Sequence, residues 1–106
     1  MMGGGLNPNK MGKQIQDMQK KLLEVEEDLK ERIVEGSAGG GMVKVKVSGA
    51  QEVVAVSIDE QVAGGGDKGM IEDMVLAAVN DGLKKAKKLR ETELTKVTGF
   101  NLPGLV

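Results

Sequence analysis

The sequence predicts an α+β fold in which two long helices flank a small antiparallel sheet. Three observations carry this. Apolar residues recur at helical spacing towards each end, strict apolar–polar alternation occupies the middle, and glycine clusters punctuate the segments. A chain of 106 residues makes one domain, near the lower end of what holds a core alone. Phe100 is its only aromatic residue, and the remaining apolar content is Val, Leu, Ile, Ala and 7 Met. So light a core suits an obligate oligomer, in which a second copy supplies the missing burial.

Residues 1–7 read as a flexible, glycine-rich lead-in, residues 8–98 as the single domain and residues 99–106 as a tail. Asn7-Pro8 starts the first helix, with asparagine as cap and proline in the first turn. Met11, Ile15, Met18, Leu22, Val25 and Leu29 then recur at alternating steps of four and three, and Ile33 follows one step later. This heptad seam implies a helix over about residues 8–32, roughly 37 Å long. Such a helix is as long as a small domain is wide, so part of it projects or meets a partner. Lys10, Lys13, Lys20 and Lys21 occupy its first half, whereas Glu24, Glu26, Glu27, Asp28 and Glu31 crowd the second. That order opposes the helix dipole, at a few tenths of a kcal/mol per exposed charge. The basic end is therefore reserved for something other than helix stability.

Ile33 to Ala38 reads as a short strand before a turn at Gly39-Gly40-Gly41. From Met42 to Val47 the pattern alternates cleanly, with Val43, Val45 and Val47 on one face and Lys44 and Lys46 on the other. Ser48-Gly49-Ala50-Gln51 is a tight turn, and Val53 to Ile58 is the return strand, with Val54, Val56 and Ile58 expected to face inward. One wet and one buried face fits an antiparallel sheet packed on helices. Ala63-Gly64-Gly65-Gly66 reads as a loop leading to a cap at Asp67. It lacks the Gly-Lys-Ser/Thr ending of a phosphate loop and the spacing of a dinucleotide fingerprint, so both glycine clusters are read as turns.

The second helix is expected over about residues 68–97. At 100° per residue, Ile71, Val75, Ala78, Val79, Gly82, Ala86 and Leu89 share one side. Lys84, Lys85, Lys87 and Lys88 fall roughly opposite, and Arg90 lies at the edge of the apolar face. Residues 84–90 thus carry five positive charges and no negative ones in a chain whose formal charge is −1. Affinity for a polyanion follows such local clustering, not net charge. Beyond the helix, the tail offers Phe100, Leu102 and Leu105 for docking onto a neighbour.

The chain has no cysteine and no histidine, which removes disulfides, thiolate chemistry, imidazole catalysis and the usual zinc ligands. Serine occurs only at Ser37, Ser48 and Ser57, without a histidine to activate it. The carboxylates form a charged run along a helix and not a converging pair. No enzyme, cofactor or small-molecule substrate is expected. No stretch of about 18 apolar residues exists to span a bilayer, and the N-terminus lacks the pattern of a secretory signal. A cytoplasmic protein without a membrane partner is expected.

The sequence also resembles the YbaB/EbfC nucleoid-associated DNA-binding proteins of bacteria, over nearly its whole length. The resemblance rests on residues 13–21 (KQIQDMQKK), residues 38–45 (AGGGMVKV) with Ser48-Gly49-Ala50, and Val56-Ser57-Ile58-Asp59. It continues through residues 72–81 (EDMVLAAVND) and residues 98–104 (TGFNLPG). It is the order and spacing of these pieces that is specific. The resemblance implies an α-β-β-β-α fold that dimerises through its strands, with long helices projecting as tweezer-like arms that grip duplex DNA. It implies a cytoplasmic, nucleoid-bound protein that compacts the chromosome, with effects on transcription. Gly82 stands where the resemblance suggests alanine. It would weaken the helix by up to ~1 kcal/mol and put the straightness of the arm in question.

The leading expectation is duplex DNA binding by a homodimer, through phosphates, by Lys10, Lys13, Lys20, Lys21, Lys84, Lys85, Lys87, Lys88 and Arg90. Lysine neutralises phosphate as a mobile point charge without demanding a particular geometry. With one aromatic residue, base stacking cannot drive affinity for single strands. Base reading would fall to Arg90, Gln14 or Asn80, which nothing in the sequence places in a groove. A structural or adaptor role, with the heptad seam recruiting another protein's helix, is the alternative, and RNA binding by the same cations is another.

Overall fold

The computed structural model describes residues 8–99. Helix α1 spans Pro8–Glu31, strand β1 Ile33–Ala38, β2 Val43–Ser48, β3 Val53–Ile58, a short helix α2 Glu60–Gly65, and α3 Lys68–Thr98. The three strands form one antiparallel sheet in the order β1-β2-β3. This is the expected α+β architecture of two long helices around a small sheet. The lead-in at residues 1–7, the Asn7 cap and the docking residues Phe100, Leu102 and Leu105 lie outside the described residues.

The alternating valines of β2 make the core. Val43, Val45 and Val47 are fully buried, as are Ala78 and Ala86 of α3, with Val34, Met74, Val75, Val79 and Leu83 packed around them. The helical face read from sequence is therefore the one that lies on the sheet. Glycines set how closely they approach. A Cβ at Gly36 would overlap Ala78 O and Gly82 N, and one at Gly82 would lie 2.6 Å from Val47 Cγ2. Gly82 is buried within an unbroken α3. Its cost in helix propensity is offset by close backbone packing, and the doubt over the arm's straightness falls away.

Two expectations are corrected by the structure. The stretch read as a loop before Asp67 contains α2, whose Asp59 cap accepts a hydrogen bond from Gln61 N at 2.9 Å and whose Val62 is buried. Gly64 and Gly65 end this helix, a residue type that masks helical character in a sequence. The second correction concerns β3. Val45 pairs with Val56 and Val43 with Ile58, so these residues share a sheet face as expected. Ile58 packs against the core, yet Val56 is 49% exposed, because α3 packs over β1 and β2 and leaves the rest of β3 uncovered. A bulge opposite Lys46/Val47 makes Val54 the extra residue, and it too is exposed.

The direction of the helices follows from their contacts with β1. Lys85 Nζ reaches Glu35 O, Asp81 accepts from Ser37 N, and Gly39 approaches Met74, so β1 and α3 run in opposite senses. Arg32 alone links α1 to β1, and Arg32 pairs with Glu93. Helix α1 therefore continues the line of β1, antiparallel to α3. The molecule is 78 Å long and 24 by 16 Å across. A 31-residue helix accounts for only about 46 Å of that length. The first half of α1 must extend beyond the end of α3.

Candidate nucleic-acid interface

The basic run of α3 divides into cations with and without partners. Lys85 Nζ lies 3.2 Å from Asp81 Oδ2 and donates to Glu35 O at 3.0 Å, tying α3 to β1. Arg90 pairs with Glu26 of α1, at the edge of the apolar face as expected. Lys84, Lys87 and Lys88 are exposed and make no ion pair among the described residues. Spaced by one residue and by a turn, they make a compact patch on the face opposite the core. Five sequential charges are thus two struts and three cations open to solvent.

The α1 cations form a second, separate group. Lys10, Lys13, Lys20 and Lys21 are all exposed on the projecting half of the helix, and none is ion-paired among the described residues. Lys21 lines a cleft of about 330 Å³ together with Glu24, Val25, Asp28, Glu93, Lys96 and Val97. Lys88 lies nine residues before Val97, about 14 Å back along α3. One chain therefore does not gather the nine candidates into a single surface. It presents two basic patches separated by an acidic zone.

That zone explains the charge order of α1. Glu26 meets Arg90, and Arg32 bridges Asp28 on its own helix side to Glu93 on α3. Lys96 also pairs with Glu93 at 2.7 Å. Lys96 and Arg32 together hold the Glu93 carboxyl below its usual range, Lys96 having the larger influence. The hydrogen bond from Ser37 N, followed by that from Lys85, likewise lowers Asp81. The acidic half of α1 docks on α3, so the basic half is the one left to project.

Sequence reasoning passed over two further cations. Lys44 and Lys46 stand on the open face of β2, opposite Ser37 and Glu35 of β1 and Ser57 and Ala55 of β3. The signal was present in the alternation that identified the buried valines. Arg32 was also missed, since a lone arginine between two elements carries no periodicity. Among the described residues no cluster of His, Cys, Asp or Glu is placed to hold a metal ion, and no helix is long and apolar enough to cross a membrane.

The sequence pattern of the YbaB/EbfC DNA-binding family matches residues 2–101. The chain is 45% identical over 103 residues to a nucleoid-associated protein of Caldanaerobacter subterraneus subsp. tengcongensis, covering 96% of this chain and 93% of that one. It is 45% identical over 105 residues to a nucleoid-associated protein of Alkaliphilus metalliredigens, covering 98% and 92% respectively. Among solved structures, the crystal structure of an uncharacterized protein from Helicobacter pylori superposes with a TM-score of 0.77 at 29% identity. That similarity covers 89% of this chain and 99% of the other.

Proposed function

The chain belongs to the YbaB/EbfC DNA-binding family, and on that premise we propose that it binds duplex DNA as a homodimer, chiefly through phosphates. The observation that carries this reading is the set of exposed lysines that make no ion pair among the described residues. Lys84, Lys87 and Lys88 form one patch, and Lys10, Lys13, Lys20 and Lys21 form the other. Two copies of each patch give a dimer up to fourteen point charges for a polyanion, without the rigid forks or aromatic platforms that base recognition requires. Sequence preference is weak for that reason. Lys85 and Arg90 serve mainly as struts that hold α3 against β1 and α1.

The homodimer is supported by β3. Val53, Val54 and Val56 leave 42%, 54% and 49% of their surface exposed on an edge strand, a liability that a second copy removes by covering it. A two-fold axis beside β3 would set the projecting halves of α1 on both sides of a duplex. In the cell the protein acts in the cytoplasm, on the nucleoid, organising DNA and influencing transcription as a consequence of coating it. The nucleoid association named for its relatives supports this location.

Titration of a duplex at several salt concentrations tests the mechanism. If six to ten phosphates are engaged, affinity falls by about 10³–10⁵ between 50 and 200 mM salt. A flat response would rule out phosphate contacts. Competition by structured RNA or by single strands at equal salt distinguishes a duplex binder from a general polyanion binder.

A further inference from the structure

The sheet has two edges, and the fold treats them differently. Ser48 N donates to Glu52 O and Asp59 N to Met42 O, each at 2.8 Å. The even-numbered residues of β2 therefore turn their backbone groups towards β3, and the odd-numbered ones turn theirs towards β1. Gly36 pairs with Val45 in that register. Glu35 and Ser37, on either side of it, therefore direct their N–H and C=O groups along the outer edge of β1. By the same rule Val56 and Ile58, paired with Val45 and Val43, direct theirs along the outer edge of β3.

At the β1 edge two of these groups are already bonded. Ser37 N donates to Asp81 Oδ2 at 3.0 Å, and Glu35 O accepts from Lys85 Nζ at 3.0 Å. Asp81 and Lys85, one turn apart on α3, lie 3.2 Å from each other. The two bonded groups flank Gly36, and an antiparallel strand centred there would bond both. Were that strand β1 of a second copy, the partner's Ser37 N would reach Glu35 O and the partner's Glu35 O would reach Ser37 N. The edge is self-complementary, and the two side chains occupy both of its central bonds. At the β3 edge, no side chain among the described residues bonds the main-chain groups of Val56 or Ile58.

We propose that the Asp81–Lys85 pair stands in for a strand, closing the β1 edge to β1 of a second copy and confining growth of the sheet to β3. Free backbone groups on an edge are a template for pairing with another chain, and charged side chains are one way of blunting it. Here the blunting is by direct hydrogen bonds, which the close approach of α3 at Gly36 and Gly82 brings within reach. An assembly that gains a partner at β3 then closes, because neither copy has a second edge to offer. With β1 open as well, copies would run on into a chain. The inference concerns the sheet alone and does not depend on what the lysines bind.

Amide hydrogen exchange in the unaltered chain reads the closure directly. The Ser37 amide should exchange about tenfold or more slowly than that of Glu35 on the same edge, as a hydrogen bond to a charged group implies. The variant Asp81→Ala/Lys85→Ala should keep its helical circular dichroism, lose the Ser37 protection when dilute, and sediment as species heavier than the parent as concentration rises. Asp81→Asn/Lys85→Gln keeps an acceptor and a donor but no charge, and should hold the parental mass. A folded double alanine variant with the parental mass at every concentration overturns the proposal, as does a Ser37 amide exchanging as fast as that of Glu35. Association of the Asn/Gln variant overturns it too, since charge and not hydrogen bonding would then be the barrier. The exchange comparison needs no variant, and it decides the case if the double alanine chain does not fold.

Discussion

Gly36 and Gly82 let a strand and a helix touch backbone to backbone at the centre of the molecule. The hypothetical Cβ of Gly36 meets main-chain atoms of Ala78 and Gly82, whereas that of Gly82 meets the side chain of Val47 and stays 3.4 Å from Gly36 N. Main chain cannot yield as a side chain can. Gly36→Ala should therefore cost about 3 kcal/mol or more, at the upper end of overpacking losses. Gly82→Ala regains up to ~1 kcal/mol of helix propensity against a clash with a stiff valine, and should cost about 1 kcal/mol or less in net terms. Urea unfolding of the two variants checks the order. Equal losses would mean that the helix shifts to relieve both.

Reversing charge at Lys84, Lys87 and Lys88 should weaken DNA binding and flatten its salt dependence. Each phosphate contact contributes about 0.9 to the slope of log affinity against log salt, so six lysines in a dimer account for up to about 5. Arg90→Ala is the control. It breaks the pair with Glu26 at a cost of about 0.2–1 kcal/mol in stability, the range for exposed pairs, and should leave the salt slope unchanged. Fluorescence anisotropy with a labelled duplex reads both variants. An unaltered slope in the triple variant would shift attention to the α1 lysines and to Lys44 and Lys46.

Much of this fold was legible because its periodicities are local. The alternation of Val43, Val45 and Val47 has period two and identified the core strand, and the spacing from Ile71 to Leu89 has the period of a helix and identified the buried face of α3. What escaped depends on residues far apart in the chain. Lys85 and Arg90 look like their neighbours in sequence, and only the fold brings Asp81 with Glu35 to the first and Glu26 to the second. The inward face of β3 was legible at Val56 and Ile58 but not at Val54, which a bulge displaces, and pairing alone does not say whether a helix covers that face. Helix α2 was obscured because Gly64 and Gly65 lie inside it. A glycine reads as a break until its capping and burial are known.

Val54 and Val56 give the dimer its own test. Replacing both with lysine places charge on the exposed flank of β3 and leaves the buried valines of β2 themselves unaltered, although Val56 pairs with Val45. Sedimentation should then report a monomer where the unaltered chain gives a dimer, with helical circular dichroism retained. Duplex affinity should fall with it, because only one set of arms remains per particle. A variant that stays dimeric would place the two-fold contact elsewhere.

Asp81 provides a pH signature that is independent of DNA. Its carboxylate accepts from Ser37 N at 3.0 Å and pairs with Lys85, and these contacts lower its proton affinity below the ordinary value of 3.8. The folded state thus prefers the ionised group more than the unfolded chain does. The contribution is fully present above the unfolded value and is lost as pH falls through the lower folded value. Glu93, depressed from 4.5 by Lys96 and Arg32, acts in the same direction. Stability should therefore decline as acid is added below about pH 4.5, first through Glu93 and then through Asp81. Asp81→Asn keeps an oxygen for Ser37 N but has no charge to titrate. Its urea midpoint at neutral pH should be lower than that of the parent, and the two curves should converge in acid. If they stay parallel down to the lowest pH at which the protein folds, the Asp81 carboxylate is not what joins α3 to β1.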